Sequence, residues 1–181
     1  FCIEMTEENF VRQVADTGIA IISQTPSLVP ADARLYGLRD VTGTVNETSL
    51  IAASIMSKKI AAGAAAILLD IKVGSGAFMR NVVDARSLAE VMKNLGKRAG
   101  CEVVCELTDM DQPLGYAVGN SLEVREAVET LRGSGPSDLT EIVTETAVHL
   151  LGLSSLNLKE AEARECVEKV LRNGDAYAMY E

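Results

Sequence analysis

LYGLRDVTGTVNETSLIAASIMSKK, at residues 35–59, is the most informative stretch of this sequence. Its first part, which includes Arg39, predicts an extended or turning segment with a β-branched run. Its second part predicts a helix over residues 50–62. The candidate N-caps, each with a side-chain oxygen for the free N–H groups of the first turn, are Asn46, Thr48 and Ser49.

Ser54 and Lys58 are the polar residues of this predicted helix that could share a site. They are four residues apart and therefore point from one face of a helix. Arg39 lies upstream, in a segment that could fold back over that face. Together the three side chains suit a planar ligand rich in acceptors, or an anion that forms during a reaction. The spacing alone leaves open that they are simply solvated, like Lys59.

The composition is that of an α/β domain rich in Ala, Val and Leu. The chain has 181 residues and 48% hydrophobic residues, which is enough for a sizeable core. Its formal net charge of -9 argues against nucleic acid or an anionic membrane surface as a partner. The longest apolar run, residues 60–69, is too short for a bilayer span, which needs about 20 residues.

The cysteine usage predicts reduced thiols in a cytoplasmic protein. Cys101 and Cys105 fall on one predicted strand, roughly 13 Å apart at about 3.3 Å per residue, which is too far for a disulfide. No CxxC pair or His cluster indicates zinc.

Helix and strand patterns alternate along the rest of the chain. Strands are predicted over residues 18–23, 65–73 and 101–107. Helices are predicted over residues 6–17, 84–100 (with Leu88, Val91, Met92 and Leu95 inward), from Asn120 or Ser121, from Ser137 or Asp138 to about 151, and 157–172. The breakers Thr25-Pro26 and Val29-Pro30 predict a linker. His149, the only histidine, is predicted to be structural.

The loop at residues 74–78 follows a predicted strand, which is the usual place for a ligand in an α/β sheet. Its lone G-x-G is weak evidence of phosphate binding.

The chain closely resembles the pyrimidine-nucleoside phosphorylases and thymidine phosphorylases. The segments LYGLRDVTGTV and SLIAASIMSKKIAAGA are similar to the family signature that holds the pyrimidine base. The resemblance continues through GIAIISQ, VPADARLYGLRD, LLDIKVGSGAFM and TDMDQPLGYAVGNSLEVREAVETLRGSGPSDLTE. It covers nearly the whole chain in long, specific motifs.

The resemblance implies an α/β fold of the nucleoside phosphorylase/phosphoribosyltransferase type, with a central, mostly parallel sheet flanked by helices. Residues 1–30 and 62–181 would form the α/β domain, and residues 31–61 would belong to a small helical lobe that is mostly missing here. The helix at 50–62 would then have an unpartnered apolar face. The chain is expected to be a fragment of a homodimeric enzyme, without its front phosphate loop and its tail.

The resemblance also assigns the base site. Arg39, Ser54 and Lys58 would bind the base and act in catalysis. The residues implied to wall the base are Tyr36, Ile51, Ile55 and, at the border, Phe78, which could equally be a core residue.

A monovalent cation site, for potassium, is implied as well. Its ligands would be the backbone carbonyls of Leu114 and Ala117 and the carboxylate of Glu126, since hard oxygen ligands suit a hard cation. The residues alone allow Glu126 to be a surface carboxylate near Arg125. No organic cofactor is implied.

The implied reaction is phosphate-dependent cleavage of a uridine- or thymidine-type nucleoside to a free base and a pentose 1-phosphate. The preferred nucleoside stays open, although the segment DQPLGYAVGN favours the broader pyrimidine-nucleoside type. Two alternatives remain. One is phosphoribosyl transfer as in anthranilate phosphoribosyltransferase, and the other is that the isolated fragment is a non-catalytic folded module.

Overall fold

The structure is a computed structural model that describes residues 3–23, 29–156 and 158–181. Within them lie eight helices and two strands. In chain order these are α1 (Glu7–Thr17), α2 (Pro30–Thr42), α3 (Thr48–Ala61), β1 (Ala66–Val73), α4 (Val82–Arg98), β2 (Glu102–Asp109), α5 (Asn120–Leu131), α6 (Ser137–Leu153), α7 (Glu160–Asn173) and α8 (Asp175–Tyr180).

The sheet consists of β1 and β2, which pair in parallel from Ala66 opposite Glu102 to Val73 opposite Asp109. The helix α4 connects them, as the alternating pattern predicts. It comes so close to β2 that a Cβ at Gly96 would lie 2.2 Å from Cγ2 of Val103. The strand–helix–strand unit is thus confirmed, and it positions the loops that follow both strands at one edge of the sheet.

The main core lies between this sheet and the helices α3 and α4. Alternate residues of β1 point into it, and the two largest fully buried side chains are Met56 and Met92. Its buried members are Ile51, Ala52, Met56, Ile67, Leu69, Ile71, Met79, Ala85, Leu88, Ala89, Met92, Cys101 and Val103. Of the residues predicted to face inward from α4, Leu88 and Met92 are buried and Leu95 is partly buried, whereas Val91 is 38% exposed, so the prediction for Val91 is wrong.

The helix α3 contributes to this core, contrary to the expectation that its apolar face is unpartnered. Ile51, Ala52 and Met56 are buried against the sheet and α4. The apolar face of α3 is covered because it packs against α4. The division at residues 31–61 remains a prediction.

A second, smaller core joins α6 and α7 through Val148, Ala163, Val167 and Leu171. The predicted start of α6 at Ser137 is confirmed. The helix α7 begins at Glu160, after the N-cap Lys159, and Asn157 lies outside the described residues.

The predicted strand at residues 18–23 is wrong. Gly18 ends α1 with a φ of 82°, and the residues after it form no strand. Ile19 and Ile21 are 54% and 55% exposed. The backbone N–H of Ser23 bonds the carbonyl of Ile3 rather than a strand of the sheet. An apolar run becomes a strand only where a strand edge is available to pair with it.

The predicted linker and extended segment before Gly43 are also wrong, because residues 30–42 form α2. Pro30 occupies the first position of the helix, where its missing N–H costs nothing, so it starts the helix instead of breaking it. Gly43 ends α2 with a φ of 67°. Thr25-Pro26 lies outside the described residues.

The predicted N-caps of two helices are wrong. The N-cap of α3 is Glu47 and that of α5 is Gly119, and neither makes a side-chain cap hydrogen bond. In α3, Leu50 and Ile51 donate instead to the backbone carbonyl of Glu47. In the part of the chain that is described, Cys101, Cys105 and Cys166 are free thiols. Across the same residues, no helix is both long and apolar enough to cross a bilayer.

Candidate active site

Three polar side chains meet where α2 packs on α3. The Lys58 ammonium forms an ion pair with the Asp32 carboxylate and donates to Oγ of Ser54 at 3.1 Å. Asp32 and Ser54 are 8% and 7% exposed. The structure therefore brings the predicted residues Ser54 and Lys58 together on α3 and adds Asp32 from the first turn of α2.

Asp32 is held as an anion by its surroundings. Burial raises the pKa of its carboxyl, but hydrogen bonds from Lys58 and Ser54 and the positive charges of Lys58 and Arg39 outweigh this effect. The net result is a pKa below the ordinary value of 3.8. Asp32 is thus ionised at neutral pH and balances one of the two nearby cations.

Arg39 is buried on α2, with 7% of its surface exposed. One of its terminal N–H groups donates to the backbone carbonyl of Val45, and its guanidinium lies 5.1 Å from the ring centre of Tyr36. Among the described residues, its Nε is the one buried side-chain polar atom without a hydrogen-bond partner. A buried donor of this kind is costly unless an acceptor satisfies it, and a ligand carbonyl could do so.

A cleft of about 700 Å³ lies beside this cluster. It is lined by Ile51 and Ile55 from α3 and by Phe78, whose side chain is 65% exposed. Tyr36, Arg39, Ser54 and Lys58 do not line it. The predicted base-site residues therefore fall into two adjoining groups, one polar and one apolar, joined through α3.

The cleft also contains a polar group that the sequence analysis missed. Lys72 pairs with Asp70 at 2.6 Å and donates to Oγ1 of Thr108 at 3.0 Å. Thr108 in turn donates to Asp70. Asp70 and Lys72 are two apart on β1 and so share a face of the sheet. That spacing near the carboxyl end of a strand could have indicated them.

The glycine loop after β1 is tied to the loop after β2. The backbone N–H of Ser75 donates to Oδ1 of Asp111 at 2.7 Å, and that of Gly76 donates to the carbonyl of Met110. The hydrogen bond from Ser75 is the largest of the effects that lower the pKa of Asp111. A Cβ at Gly74 would lie 2.8 Å from Asp111, so the close approach requires glycine. Because the N–H groups of Gly74, Ser75, Gly76 and Ala77 are all hydrogen-bonded within the protein, this loop is not an open phosphate cradle.

Glu126 organises the loop in which the cation site is predicted. Its Oε1 accepts hydrogen bonds from the backbone N–H groups of Tyr116 at 2.9 Å and Ala117 at 3.1 Å. Oε2 of Glu126 packs closely on Gly115, where an added Cβ would lie only 2.3 Å from that oxygen. Among the ion pairs of the described residues, none joins Glu126 to Arg125. The structure therefore brings Glu126 against the backbone N–H groups of Tyr116 and Ala117, and the cation site stays a prediction.

His149 ties α6 to the sheet. Its Nδ1 lies 2.5 Å from Oε1 of Glu106 on β2, and Thr146 donates to the other oxygen of Glu106 at 2.8 Å. Neither contact involves the cluster at Lys58, and a structural role for His149 stays a prediction.

Comparison with known proteins gives a consistent result. Residues 1–177 match the model of the glycosyl transferase family, a/b domain. The chain is 47% identical over 180 residues to the pyrimidine-nucleoside phosphorylases of Staphylococcus haemolyticus and Geobacillus stearothermophilus. It is 48% identical over 180 residues to that of Bacillus subtilis. In each case the match covers 99% of this chain and 42% of the relative.

The match therefore spans the α/β strands, the glycine loop and the cluster of Arg39, Ser54 and Lys58. Identity of this degree over nearly every residue of the chain exceeds what a shared fold alone requires. The chain belongs to the glycosyl transferase family, whose a/b domain it forms, and over 99% of its length it is similar to part of the pyrimidine-nucleoside phosphorylases.

Proposed function

We propose that this chain forms the base-binding part of a pyrimidine-nucleoside phosphorylase. The observation that carries the proposal is the cluster where α2 meets α3, in which the partly buried Lys58 contacts the buried Ser54 while Arg39 is buried on α2. The relatives that match it are named for phosphorolysis of pyrimidine nucleosides. The substrates would be a uridine- or thymidine-type nucleoside and phosphate, in a cytoplasmic enzyme of nucleotide salvage.

In the proposed reaction a phosphate oxygen attacks the anomeric carbon of the pentose. The bond from that carbon to the base nitrogen breaks, and the base departs with the bonding electron pair before it takes up a proton. Negative charge therefore develops on the base carbonyls. Arg39 and Lys58 would donate to those carbonyls, and their hydrogen bonds would strengthen as the charge grows. Tyr36, Ile51, Ile55 and Phe78 would wall the base.

The test is phosphate-dependent release of uracil from uridine by the full-length protein. We expect release only when phosphate is present. Activity with a pentose diphosphate and an amine acceptor, and none with uridine and phosphate, would instead favour phosphoribosyl transfer. The 181-residue chain alone is expected to be inactive, because the resemblance assigns phosphate binding to another section of the protein.

The second part of the proposal is a potassium site formed by the carbonyls of Leu114 and Ala117 and the carboxylate of Glu126. The hydrogen bonds from the loop to Glu126 support it, since they hold the carboxylate at that loop. Glu126→Gln removes the charge with little change in shape. We expect it to abolish stimulation of uracil release by KCl over choline chloride, whereas Glu123→Gln, on the same helix, should retain the stimulation. Equal stimulation in both variants would contradict the site.

The full-length protein is further proposed to be a homodimer, as the resemblance implies. No organic cofactor is proposed.

A further inference from the structure

The junction between α7 and α8 contains the only Asn-Gly pair of the sequence, Asn173 and Gly174. Gly174 separates the two helices with a φ of 87° and is half-buried, whereas Asn173 is exposed. A Cβ added to Gly174 would meet nothing within 4 Å. The side chain of Asn173 therefore has room to approach the backbone of Gly174, and solvent can reach both.

The backbone N–H of Gly174 differs from those of other glycines that follow helices. Gly18, Gly63 and Gly133 follow α1, α3 and α5 and also have a positive φ. Their N–H groups all donate to carbonyls of the helix that they follow. Among the described residues, the N–H of Gly174 donates no hydrogen bond. Its nitrogen can therefore lose its proton to solvent without first breaking a hydrogen bond in the protein.

The side-chain amide of Asn173 is held at both of its polar atoms by Asp175. Its Oδ1 accepts from the backbone N–H of Asp175 at 3.0 Å, and its Nδ2 donates to the carboxylate of Asp175 at 2.7 Å. Because Asp175 directly follows Gly174, these bonds turn the amide forward along the chain, towards the nitrogen of Gly174. An attack by that nitrogen on Cγ of Asn173 would develop negative charge on Oδ1, where a donor is already in place.

We propose that Asn173 is a site of spontaneous deamidation in the folded protein, and that the α7–α8 junction promotes the reaction. The nitrogen of Gly174 gives its proton to solvent and forms a bond to Cγ of Asn173. The bond from Cγ to Nδ2 breaks, and the side-chain nitrogen takes up a proton from solvent and leaves as ammonia. The succinimide ring that results adds one water molecule and opens to aspartate or isoaspartate.

The modification would weaken the attachment of α8 to α5. Tyr177 makes that contact, since its ring centre lies 4.1 Å from the Arg132 guanidinium and its hydroxyl accepts from the same group. Aspartate in place of Asn173 would put a second carboxylate beside that of Asp175, at the C-terminal end of α7, where the helix dipole disfavours negative charge. Isoaspartate would also lengthen the main chain between the two helices by one methylene.

The test is to incubate the full-length protein and to follow the conversion of Asn173 by peptide mass spectrometry. A synthetic peptide of residues 170–178 in the same buffer gives the rate without the fold. We expect Asn173 to convert at least as fast in the folded protein as in this peptide. Asn94, which is exposed inside α4, is the control and should convert more slowly in the protein than in a peptide of residues 91–98. A rate at Asn173 that is lower in the protein than in its peptide would overturn the inference.

Two substitutions of Asp175 test the role of the junction, and both keep the Asn-Gly pair. Asp175→Ala removes only the carboxylate, whereas Asp175→Pro also removes the backbone N–H, at the first position of α8, where a proline is accepted. A donor to a developing oxyanion in a closed active site is typically worth at least about a hundredfold, and at this exposed junction we expect about tenfold. Asp175→Pro should therefore convert about tenfold more slowly than Asp175→Ala, each relative to its own peptide. Equal relative rates would show that the junction does not promote the reaction.

The consequence for α8 has a separate measurement. Asn173→Asp reproduces one product of the reaction in the full-length protein. We expect faster amide hydrogen exchange over residues 175–180 in this variant, with exchange in α4 unchanged. Unchanged exchange over residues 175–180 would overturn the predicted loosening of α8.

Discussion

At the scale of single residues, one contact of the site could be predicted from helix periodicity, and another is visible only in the folded structure. Ser54 and Lys58 are four apart on α3, and this spacing indicates that they share a face. The structure confirms their contact at 3.1 Å. Asp32 is 26 positions from Lys58 and lies on a different helix. No local pattern relates such a pair, so the sequence analysis missed it.

The pKa of Asp32 gives a prediction about stability and pH. Its folded-state pKa lies below the ordinary value of 3.8, so its ionised form stabilises the fold. That contribution is complete well above pH 3.8 and is lost as the pH falls through the lower pKa of the folded state. We expect Asp32→Asn to lower the free energy of unfolding by about 2 kcal/mol at pH 7, the usual size of a hydrogen bond to a charged group. Denaturant titrations should show that this difference shrinks as the pH is lowered from 7 to 3.

Asp40→Asn is the control, and it should have little effect at either pH, because Asp40 is exposed. A loss of stability for Asp32→Asn that is the same at pH 3 and pH 7 would show that the ion pair is not its source.

At the scale of elements, the strand–helix–strand unit from β1 to β2 could be predicted, because each element carries its own periodicity and is bounded by glycines. The segments around it could not. Residues 18–23 have a strand pattern but no strand edge beside them in the structure. Residues 30–42 begin with a proline that suggested a linker, but Pro30 stands at the start of the helix, where a proline is accepted. Both predictions are wrong because the local sequence pattern does not show which elements lie beside a segment in the fold.

Gly96 provides a test of how closely α4 packs on β2. A Cβ there would lie 2.2 Å from the side chain of Val103, so Gly96→Ala forces the helix and the strand apart. We expect a loss of about 1–3 kcal/mol in the free energy of unfolding, typical of an overpacked core, despite the better helix propensity of Ala. Chemical denaturation followed by circular dichroism measures it.

Gly152→Ala on α6 is the matched control, since a Cβ there meets nothing within 4 Å. It should be neutral or stabilising by up to about 1 kcal/mol. Equal effects of the two substitutions would contradict the close packing of α4 on β2.

At the scale of the whole molecule, the chain spans 42% of the length of the curated relatives it matches. Its α/β core holds α3 against the sheet and so fixes Ser54 and Lys58 relative to the cleft. The family could be identified from the sequence because its motifs are long. The network of Asp70, Lys72 and Thr108 could not be predicted from the sequence. It depends on the register between β1 and β2, which places Thr108 beside the other two residues.

The most direct test of the proposed chemistry is uracil release from uridine by the full-length protein and its Lys58→Ala variant, with and without phosphate. Removal of a donor that stabilises a developing anion typically costs about 3 kcal/mol, so we expect the phosphate-dependent rate to fall at least a hundredfold. Lys93→Ala, at an exposed site on α4, should retain the full rate. Release that does not require phosphate, or that is unaffected by Lys58→Ala, would contradict the account.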